Sequence, residues 1–179
     1  MALYGLMRDY TYMHVGLLAL QGDFERHAHQ VRLIGASPVE VRSAGDITQI
    51  DALIIPGGES TTMHYLMEKF SLRRPLLDFA VGHPIFGTCA GMILLSTVIR
   101  DNQAGIVPLK LLDIEVLRND YGRQIYSFQD ALPARLNGKT VDLTATFIRA
   151  PRIVGVGKGV EVLAEYRGDP VLVQTGHIL

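Results

Sequence analysis

Three apolar runs of the sequence each end at a glycine-containing turn, and a helical pattern begins directly after each turn. The runs are His14–Leu20, Asp51–Ile55 and Pro84–Gly87. Continuous apolar runs of this length are typical of strands that are buried on both faces, as in parallel sheets covered by helices. The repeat of strand, turn and helix therefore predicts an α/β fold with a mostly parallel central sheet flanked by helices.

The C-terminal half carries further strand patterns with few helical patterns between them. The predicted strands are Leu111–Leu117, Leu143–Ile148, Val160–Tyr166 and Val171–Gln174. Parallel neighbours need long crossover connections, whereas antiparallel neighbours can be joined by short turns. We therefore expect antiparallel strands in the C-terminal half, beside the parallel sheet.

Size, charge and cysteine content restrict the class of protein. A chain of 179 residues suits one domain with a substantial core. Its net charge of -1 provides no general excess of Lys and Arg, so neither nucleic acid nor a membrane is expected as a partner. No apolar run approaches the roughly 20 residues of a membrane helix. A single cysteine cannot form an intrachain disulfide, which fits a cytoplasmic protein.

The third turn contains that cysteine. Gly87-Thr88-Cys89-Ala90-Gly91 has the form G-x-C-x-G, and a helix is predicted from Met92 to Val98. Small flanking residues suit the sharp, strained turn of a nucleophile elbow at the carboxyl end of a strand. The first helical amides can lower the pKa of a thiol and stabilise an oxyanion. A lone cysteine is more often a buried structural residue, but this context favours Cys89 as a nucleophile.

The second turn is rich in backbone amides and hydroxyl groups. Its sequence is Pro56-Gly57-Gly58-Glu59-Ser60-Thr61-Thr62, hereafter the PGGESTT loop. The glycines allow amides to face a ligand, so the loop can supply a second oxyanion donor and contacts for an amino acid. The alternative is an ordinary turn in which Ser60 and Thr61 cap a helix through Leu66. Because ligands gather at the carboxyl ends of parallel strands, the loop is expected to share a crevice with Cys89.

Five segments together resemble the glutaminase subunits of pyridoxal 5'-phosphate synthase, a family of class I glutamine amidotransferases. They are Leu18–Gly22, Pro56–Thr62, Phe86–Gly91, Arg118–Gln124 and Phe147–Pro151. The elbow alone indicates only the class, whereas the PGGESTT and FIRAP sequences make the resemblance specific to these subunits. The resemblance implies a flavodoxin-like fold for residues 13–179 as a single amidotransferase domain. Residues 1–12 are interpreted as an N-terminal extension.

The resemblance implies a role for each matching residue. Cys89 would attack the side-chain amide of glutamine and form a thioester, while the backbone amides of Gly58 and Ala90 hold the oxyanion. The residues implied to bind glutamine are Gly58, Glu59, Ser60, Arg118, Ile148 and Arg149. Ammonia would pass to a synthase subunit that builds pyridoxal 5'-phosphate from a pentose phosphate and a triose phosphate. No cofactor and no metal ion are implied for this chain.

One motif of the family is missing from the sequence. The family carries its catalytic base in a C-terminal His-Pro-Glu, and no such tripeptide occurs among these residues. A glutaminase needs this base to activate the thiol and to protonate the departing ammonia. The histidines present are His14, His27, His29, His64, His83 and His177. Each is interpreted as solvated or packed, with His27 and His29 solvated on the first helix, and the domain is interpreted as truncated before the motif.

Three functions stay open from the sequence. The leading one is a glutaminase that supplies ammonia to the synthase of pyridoxal 5'-phosphate. A second is an amidotransferase subunit of another pathway, such as histidine or purine synthesis, which the PGGESTT and FIRAP segments disfavour. A third is a non-catalytic subunit that binds and organises a synthase, which is compatible with the missing base.

Overall fold

The computed structural model describes residues 13–118 and 128–179. The predicted extension, residues 1–12, lies outside the described residues, as do Asn119–Gln124 of the segment that begins at Arg118.

Helices and strands alternate in the first half of the chain, and strands dominate the second. The helices are α1 (Phe24–Leu33), α2 (Ala44–Ile47), α3 (Ser60–Lys69), α4 (Arg73–Phe79) and α5 (Ala90–Leu95). The strands are β1 (His14–Leu18), β2 (Ser37–Val41), β3 (Ala52–Ile55), β4 (Ile85–Gly87), β5 (Ser96–Ile99), β6 (Leu112–Leu117), β7 (Phe128–Leu136), β8 (Lys139–Phe147), β9 (Arg152–Val156), β10 (Glu161–Tyr166) and β11 (Asp169–Gln174). In the described parts, no helix is long and apolar enough to cross a membrane.

Four parallel strands form the central sheet, in the order β2-β1-β3-β4. The register places Ile55, the last residue of β3, opposite Gly87, the last residue of β4. The PGGESTT loop and the turn of Cys89 therefore leave neighbouring strands at the same edge of the sheet. The predicted α/β fold with a mostly parallel central sheet is confirmed.

Helices cover both faces of this sheet. On one face, Leu17 of β1 packs in a small cluster with Val31 of α1. On the other face, a larger cluster joins the strands to α3, α4 and α5, with Met63, Leu76 and Leu94 fully buried. Burial on both sides explains why the strands read as continuous apolar runs rather than as alternating patterns.

Antiparallel pairing dominates the C-terminal half, as predicted. β7 pairs with β8, β10 pairs with β11, and β9 pairs with β6 in antiparallel fashion, while β5 joins β6 in parallel. The rings of Phe128, Phe147 and Tyr166 lie 4.7–5.3 Å apart between centroids and join the β7–β8 hairpin to β10. This hairpin forms one side of the site described below.

The helix after the elbow is shorter than predicted. The sequence predicted a helix from Met92 to Val98, but α5 ends at Leu95 and residues Ser96–Ile99 form β5. Three of these four residues are β-branched, which favours a strand when a pairing partner is present. That partner is β6, which lies 13 or more residues further along the chain and carries no local signal.

The final residues of the sequence lie along the free edge of β4. The N–H of Ile85 donates to the carbonyl of His177 at 3.1 Å, and the N–H of Gly87 donates to the carbonyl of Leu179 at 2.9 Å. The pairing is parallel. The backbone at Leu179 therefore points toward the carboxyl end of β4, where Cys89 follows.

Candidate active site

Cys89 lies in the predicted strand-to-helix turn, and its backbone is strained. Its φ and ψ are 50° and -104°, a region that side-chain-bearing residues rarely adopt. Two hydrogen bonds of Thr88 hold the turn, since its N–H donates to Ile55 at 3.0 Å and its carbonyl accepts from Gly91 at 2.8 Å. A methyl group on Gly91 would overlap the Ile55 carbonyl, so only glycine lets the helix begin this close to β3.

The PGGESTT loop lies against the nucleophile. A Cβ atom placed on Gly57 would lie 3.3 Å from the Cβ of Cys89. The backbone amides of Gly58 and Ala90 lie close enough to the Cys89 thiol that both act to lower its pKa. Two amide donors from neighbouring turns therefore converge on one sulfur atom. Donors in this arrangement can stabilise negative charge that develops next to the sulfur.

The turn that follows β1 forms hydrogen bonds with the PGGESTT loop. The side-chain oxygen of Gln21 accepts the N–H of Glu59 at 2.7 Å, and the N–H of Asp23 donates to the carbonyl of Gly57 at 3.3 Å. Gly22 has a φ of 101°, and a side chain there would overlap the Gly57 carbonyl. This close approach explains the need for glycine in the first turn.

Glu59 caps α3, which corrects the predicted cap. Its carboxylate accepts the N–H groups of Thr61 at 3.1 Å and of Thr62 at 2.6 Å. Ser60 is instead the buried first residue of the helix, which continues past its predicted end to Lys69. Burial acts to raise the pKa of Glu59, but the amides of Thr62 and Thr61 outweigh it and hold that pKa below its ordinary value. The carboxylate is therefore ionised at neutral pH.

Arg118 follows β6 and reaches the same loop. Its Nη2 lies 3.2 Å from the hydroxyl oxygen of Thr61 and 3.4 Å from a carboxylate oxygen of Glu59. The side chain is only 15% exposed. Its Nε is buried and has no hydrogen-bond partner among the described residues. A buried guanidinium with an unused donor can donate a hydrogen bond to an anionic group of a ligand.

One cavity of about 870 Å³ collects these groups. Among the predicted site residues, those that line it are Gly58, Glu59, Ser60, Cys89, Arg118, Ile148 and Arg149. Ala90 contributes only its amide, as described above. Apolar side chains of β7, β8 and β11 form much of the remaining wall, among them Leu132, Leu143 and Leu172. The volume is typical of small-molecule sites, which range over about 300–1,000 Å³.

Burial raises the pKa of the Cys89 thiol above its ordinary value. The amides of Gly58 and Ala90 and the positive charge of Arg149 act in the opposite direction without cancelling this effect. The sequence predicted that helix amides would lower this pKa, and the amides do act in that direction. The net direction is opposite, because a thiolate in the cavity loses its contact with water. Efficient attack by Cys89 therefore calls for a base that removes its proton.

Of the six histidines, all within the described residues, only His27 lines the cavity. It is half-buried, and its Nε2 lies 3.3 Å from the hydroxyl oxygen of Thr88, so its interpretation as solvated is wrong. His29, on the same helix, is exposed as expected. The others contact residues elsewhere: His14 contacts Asp51, His64 contacts Val107, His83 stacks on Phe79, and His177 contacts the carbonyl of Ala80.

Three residues at the site were not singled out by the sequence interpretation. Gly57 and Gln21 belong to segments that were recognised, so their position beside the loop could have been proposed from those segments. His27 had no such signal. Its place at the cavity depends on how α1 lies across the sheet, which helical periodicity does not determine.

A thiol on a strained strand-to-helix turn, facing two amide donors in an α/β fold, has the geometry that acyl transfer by a cysteine nucleophile requires. The profile of the SNO glutamine amidotransferase family matches residues 17–179. The chain therefore belongs to the SNO glutamine amidotransferase family, and the resemblance predicted from the sequence is confirmed.

Curated relatives are similar over most of their length. A protein of Haemophilus ducreyi, named pyridoxal 5'-phosphate synthase subunit PdxT, is 46% identical over 171 residues, covering 96% of this chain and 87% of the relative. A protein of the same name from Desulforudis audaxviator is 45% identical over 168 residues, covering 93% and 87%.

Solved structures agree with this placement. A crystal structure described as a glutamine amidotransferase matches with a TM-score of 0.84 at 38% identity, over 92% of this chain and 86% of that one. A structure of PurLQS from Thermotoga maritima matches with a TM-score of 0.67 at 18% identity, over 93% of this chain and 84% of that one. At 18% identity, the second match supports only a shared fold.

Proposed function

We propose that this chain hydrolyses L-glutamine to glutamate and ammonia, and that the ammonia passes to a synthase partner that makes pyridoxal 5'-phosphate. The observation that carries the proposal is the convergence of the amides of Gly58 and Ala90 on the Cys89 thiol. Arg118 and Arg149 border the same cavity. The names of the relatives support the choice of pathway and partner.

The chemistry follows from these positions. The Cys89 sulfur attacks the side-chain amide carbon of glutamine, and the carbonyl oxygen becomes an oxyanion beside the two amides. The carbon–nitrogen bond breaks, the nitrogen takes up a proton and leaves as ammonia, and the acyl group stays on Cys89 as a thioester. Water then adds to the thioester, glutamate leaves, and the thiol is restored.

Charged groups at the rim suit the amino-acid end of the substrate. The guanidinium groups of Arg118 and Arg149 match the α-carboxylate, which favours positively charged, planar partners. The ionised carboxylate of Glu59 matches the α-ammonium group. Together with Gly58, Ser60 and Ile148, these residues form the proposed glutamine pocket.

Turnover also needs an acid–base group beside Cys89, and a His-Pro-Glu motif of the kind that the resembling family carries would supply it if it were joined to Leu179. Leu179 is hydrogen-bonded to Gly87, two residues before the nucleophile, and the chain there runs parallel to β4. An extended chain advances about 3.3 Å per residue. A histidine a few residues beyond Leu179 would therefore reach the level of Cys89.

The test compares the chain of 179 residues with one extended through His-Pro-Glu, each with and without the synthase subunit. Both chains should be labelled at Cys89 by an electrophilic glutamine analogue, and glutamine should protect them. Ammonia release should be about 10²–10⁴-fold faster in the extended chain with its synthase, which is the typical contribution of a positioned acid–base group. Equal release from both chains would contradict the assigned base, and unprotected labelling in both would contradict the glutaminase.

A second candidate is a subunit that binds and organises the synthase without catalysis. It is favoured by the raised pKa of Cys89 and by the presence of His27 alone, among the described histidines, at the cavity. An extended chain that forms a stable complex with the synthase yet releases no ammonia would support this reading over the first.

A further inference from the structure

The side chain of His27, on helix α1, contacts the turn that holds Cys89. Its Nε2 lies 3.3 Å from the hydroxyl oxygen of Thr88, the residue directly before Cys89. The contact joins residues 61 positions apart in the sequence. The reaction proposed above does not involve this contact.

The ring of His27 is suited to a hydrogen bond in its neutral form. Burial lowers its pKa below the ordinary value, and the nearby carboxylate of Asp23 opposes this only in part. The neutral ring can either donate to the Thr88 hydroxyl or accept from it, and both arrangements keep the contact. The inference therefore does not depend on the tautomer.

The Thr88 hydroxyl lies where the two catalytic turns meet. The backbone of Thr88 is already held by Ile55 and Gly91. A Cβ atom placed on Gly57 would lie 4.0 Å from the Thr88 hydroxyl oxygen and 3.3 Å from the Cβ of Cys89. A shift of the Thr88 side chain would therefore either crowd the PGGESTT loop or open a gap beside it.

The same helix also holds the loop itself. Asp23, which precedes the first residue of α1, donates its N–H to the carbonyl of Gly57 at 3.3 Å. The body of the helix is fixed to the sheet by buried Ala28 and Val31. One rigid element thus contacts both turns, through Asp23 on one and His27 on the other.

We propose that His27 is a positioning residue for Cys89. By holding Thr88, it keeps the strained turn at the separation from the PGGESTT loop at which the amides of Gly58 and Ala90 both reach the sulfur. This inference rests on the proposed function, because it assigns His27 a part in that reaction. It differs from a role in proton transfer, because the role requires only a hydrogen bond.

The experiment measures labelling of Cys89 by a diazoketone analogue of glutamine. The chain has one cysteine, so the mass of the adduct identifies the site. Two constants are measured: the maximal labelling rate and the analogue concentration at half that rate. The variants are His27→Ala, His27→Gln and, as a matched control on the same helix, His29→Ala.

His27→Ala should lower the maximal rate by about three- to tenfold, the range set by one net hydrogen bond, and leave the half-saturating concentration unchanged. His27→Gln should restore most of the rate, because an amide can replace the hydrogen bond but cannot transfer a proton at neutral pH. His29→Ala should match the wild type. Loss of rate in His27→Gln equal to that in His27→Ala would overturn the positioning role.

A double-mutant cycle with Thr88→Val separates positioning from a general loss of stability. If His27 acts through the Thr88 hydroxyl, the double variant should be no slower than the slower single variant. The inference would be overturned by additive effects, or by a lower maximal rate together with a higher half-saturating concentration when both follow the loss in melting temperature. If glutamine fails to protect the wild type, the proposed function itself fails. If glutamine protects the wild type but His27→Ala is labelled at the wild-type rate, only the positioning role of His27 is contradicted and the proposed function stands.

Discussion

The two halves of the chain contribute different parts of the site. In the parallel half, the turns after β3 and β4 bring chemical groups to the sheet edge, namely the amide of Gly58, the Cys89 thiol and the amide of Ala90. In the C-terminal half, antiparallel strands supply the walls, with Arg118 after β6 and Arg149 after β8. The proposed nucleophile and oxyanion donors thus come from one half and the proposed partners of the α-carboxylate from the other.

This difference shows why the halves should respond differently to substitution. The thiol and the two amides of the parallel half are proposed to contact the reacting atoms, so changes to them should alter the rate constant. Groups in the antiparallel half are proposed to bind the unreactive end of the substrate, so changes there should alter affinity first. Three predictions test this division, in order of decreasing effect.

The largest effect is expected for Gly58→Ala in the parallel half. A methyl group there would overlap the side chain of Gln21 and come within 3.0 Å of the backbone of Gly22. The loop must then shift, which moves one of the two amides away from the oxyanion. We expect the maximal labelling rate of Cys89, and ammonia release in an extended chain, to fall by about 10²-fold, as when an oxyanion donor is removed.

Gly82→Ala is the matched control for this change. A Cβ atom there would meet nothing within 4 Å, so the rate should stay at the wild-type value. A tenfold rise in the half-saturating concentration with an unchanged rate in Gly58→Ala would contradict the division between the halves.

A smaller effect, on affinity, is expected for Arg149→Ala in the antiparallel half. Loss of one charge-assisted hydrogen bond to the α-carboxylate should raise the KM for glutamine by at least about tenfold, with little change in kcat. Removing this charge should also raise the pKa of Cys89 further, since Arg149 acts to lower it. Arg135→Ala, which removes an exposed ion pair with Glu161 in the same half, should leave both constants unchanged. An unchanged KM in Arg149→Ala would indicate that Arg149 is an ordinary surface residue that does not bind glutamine.

The smallest effect is expected for Glu59→Gln, in the stability of the parallel half. The carboxylate caps α3 through two backbone amides, and an amide side chain can replace it only in part, so the loss at pH 7 should be about 0.5–1 kcal/mol. The folded-state pKa of Glu59 lies below its ordinary value. Its contribution is therefore complete above the unfolded-state pKa and is lost as the pH falls through the folded-state pKa.

Urea unfolding from pH 7 into acid measures this contribution. The difference between wild type and Glu59→Gln should shrink steadily as the pH falls, whereas Glu165→Gln on the exposed side of β10 should show no such difference at any pH. A constant difference across the range would mean that the cap does not depend on the ionised carboxylate.

Much of the parallel half could be predicted from local sequence. A buried strand, a glycine-rich turn and a helix are all encoded within about fifteen residues, and the small residues around Cys89 permit its strained backbone. The helix that was predicted to continue to Val98 shows that local sequence does not always determine where a helix ends. Residues 96–99 became a strand because β6 was available to pair with them, and that partner lies outside the local window.

The sequence by itself determined the kind of chemistry: a single cysteine between glycines after an apolar strand, facing a second glycine-rich turn. The tertiary structure decided what surrounds that chemistry. It placed Arg118 and Arg149 at one cavity, put His27 against Thr88, and laid residues 177–179 along the edge of β4. It also reversed the expected direction of the Cys89 pKa, because desolvation depends on every wall of the cavity. Covalent neighbours decide which backbone conformations a turn can adopt, whereas burial and long-range contacts arise only when distant segments pack together.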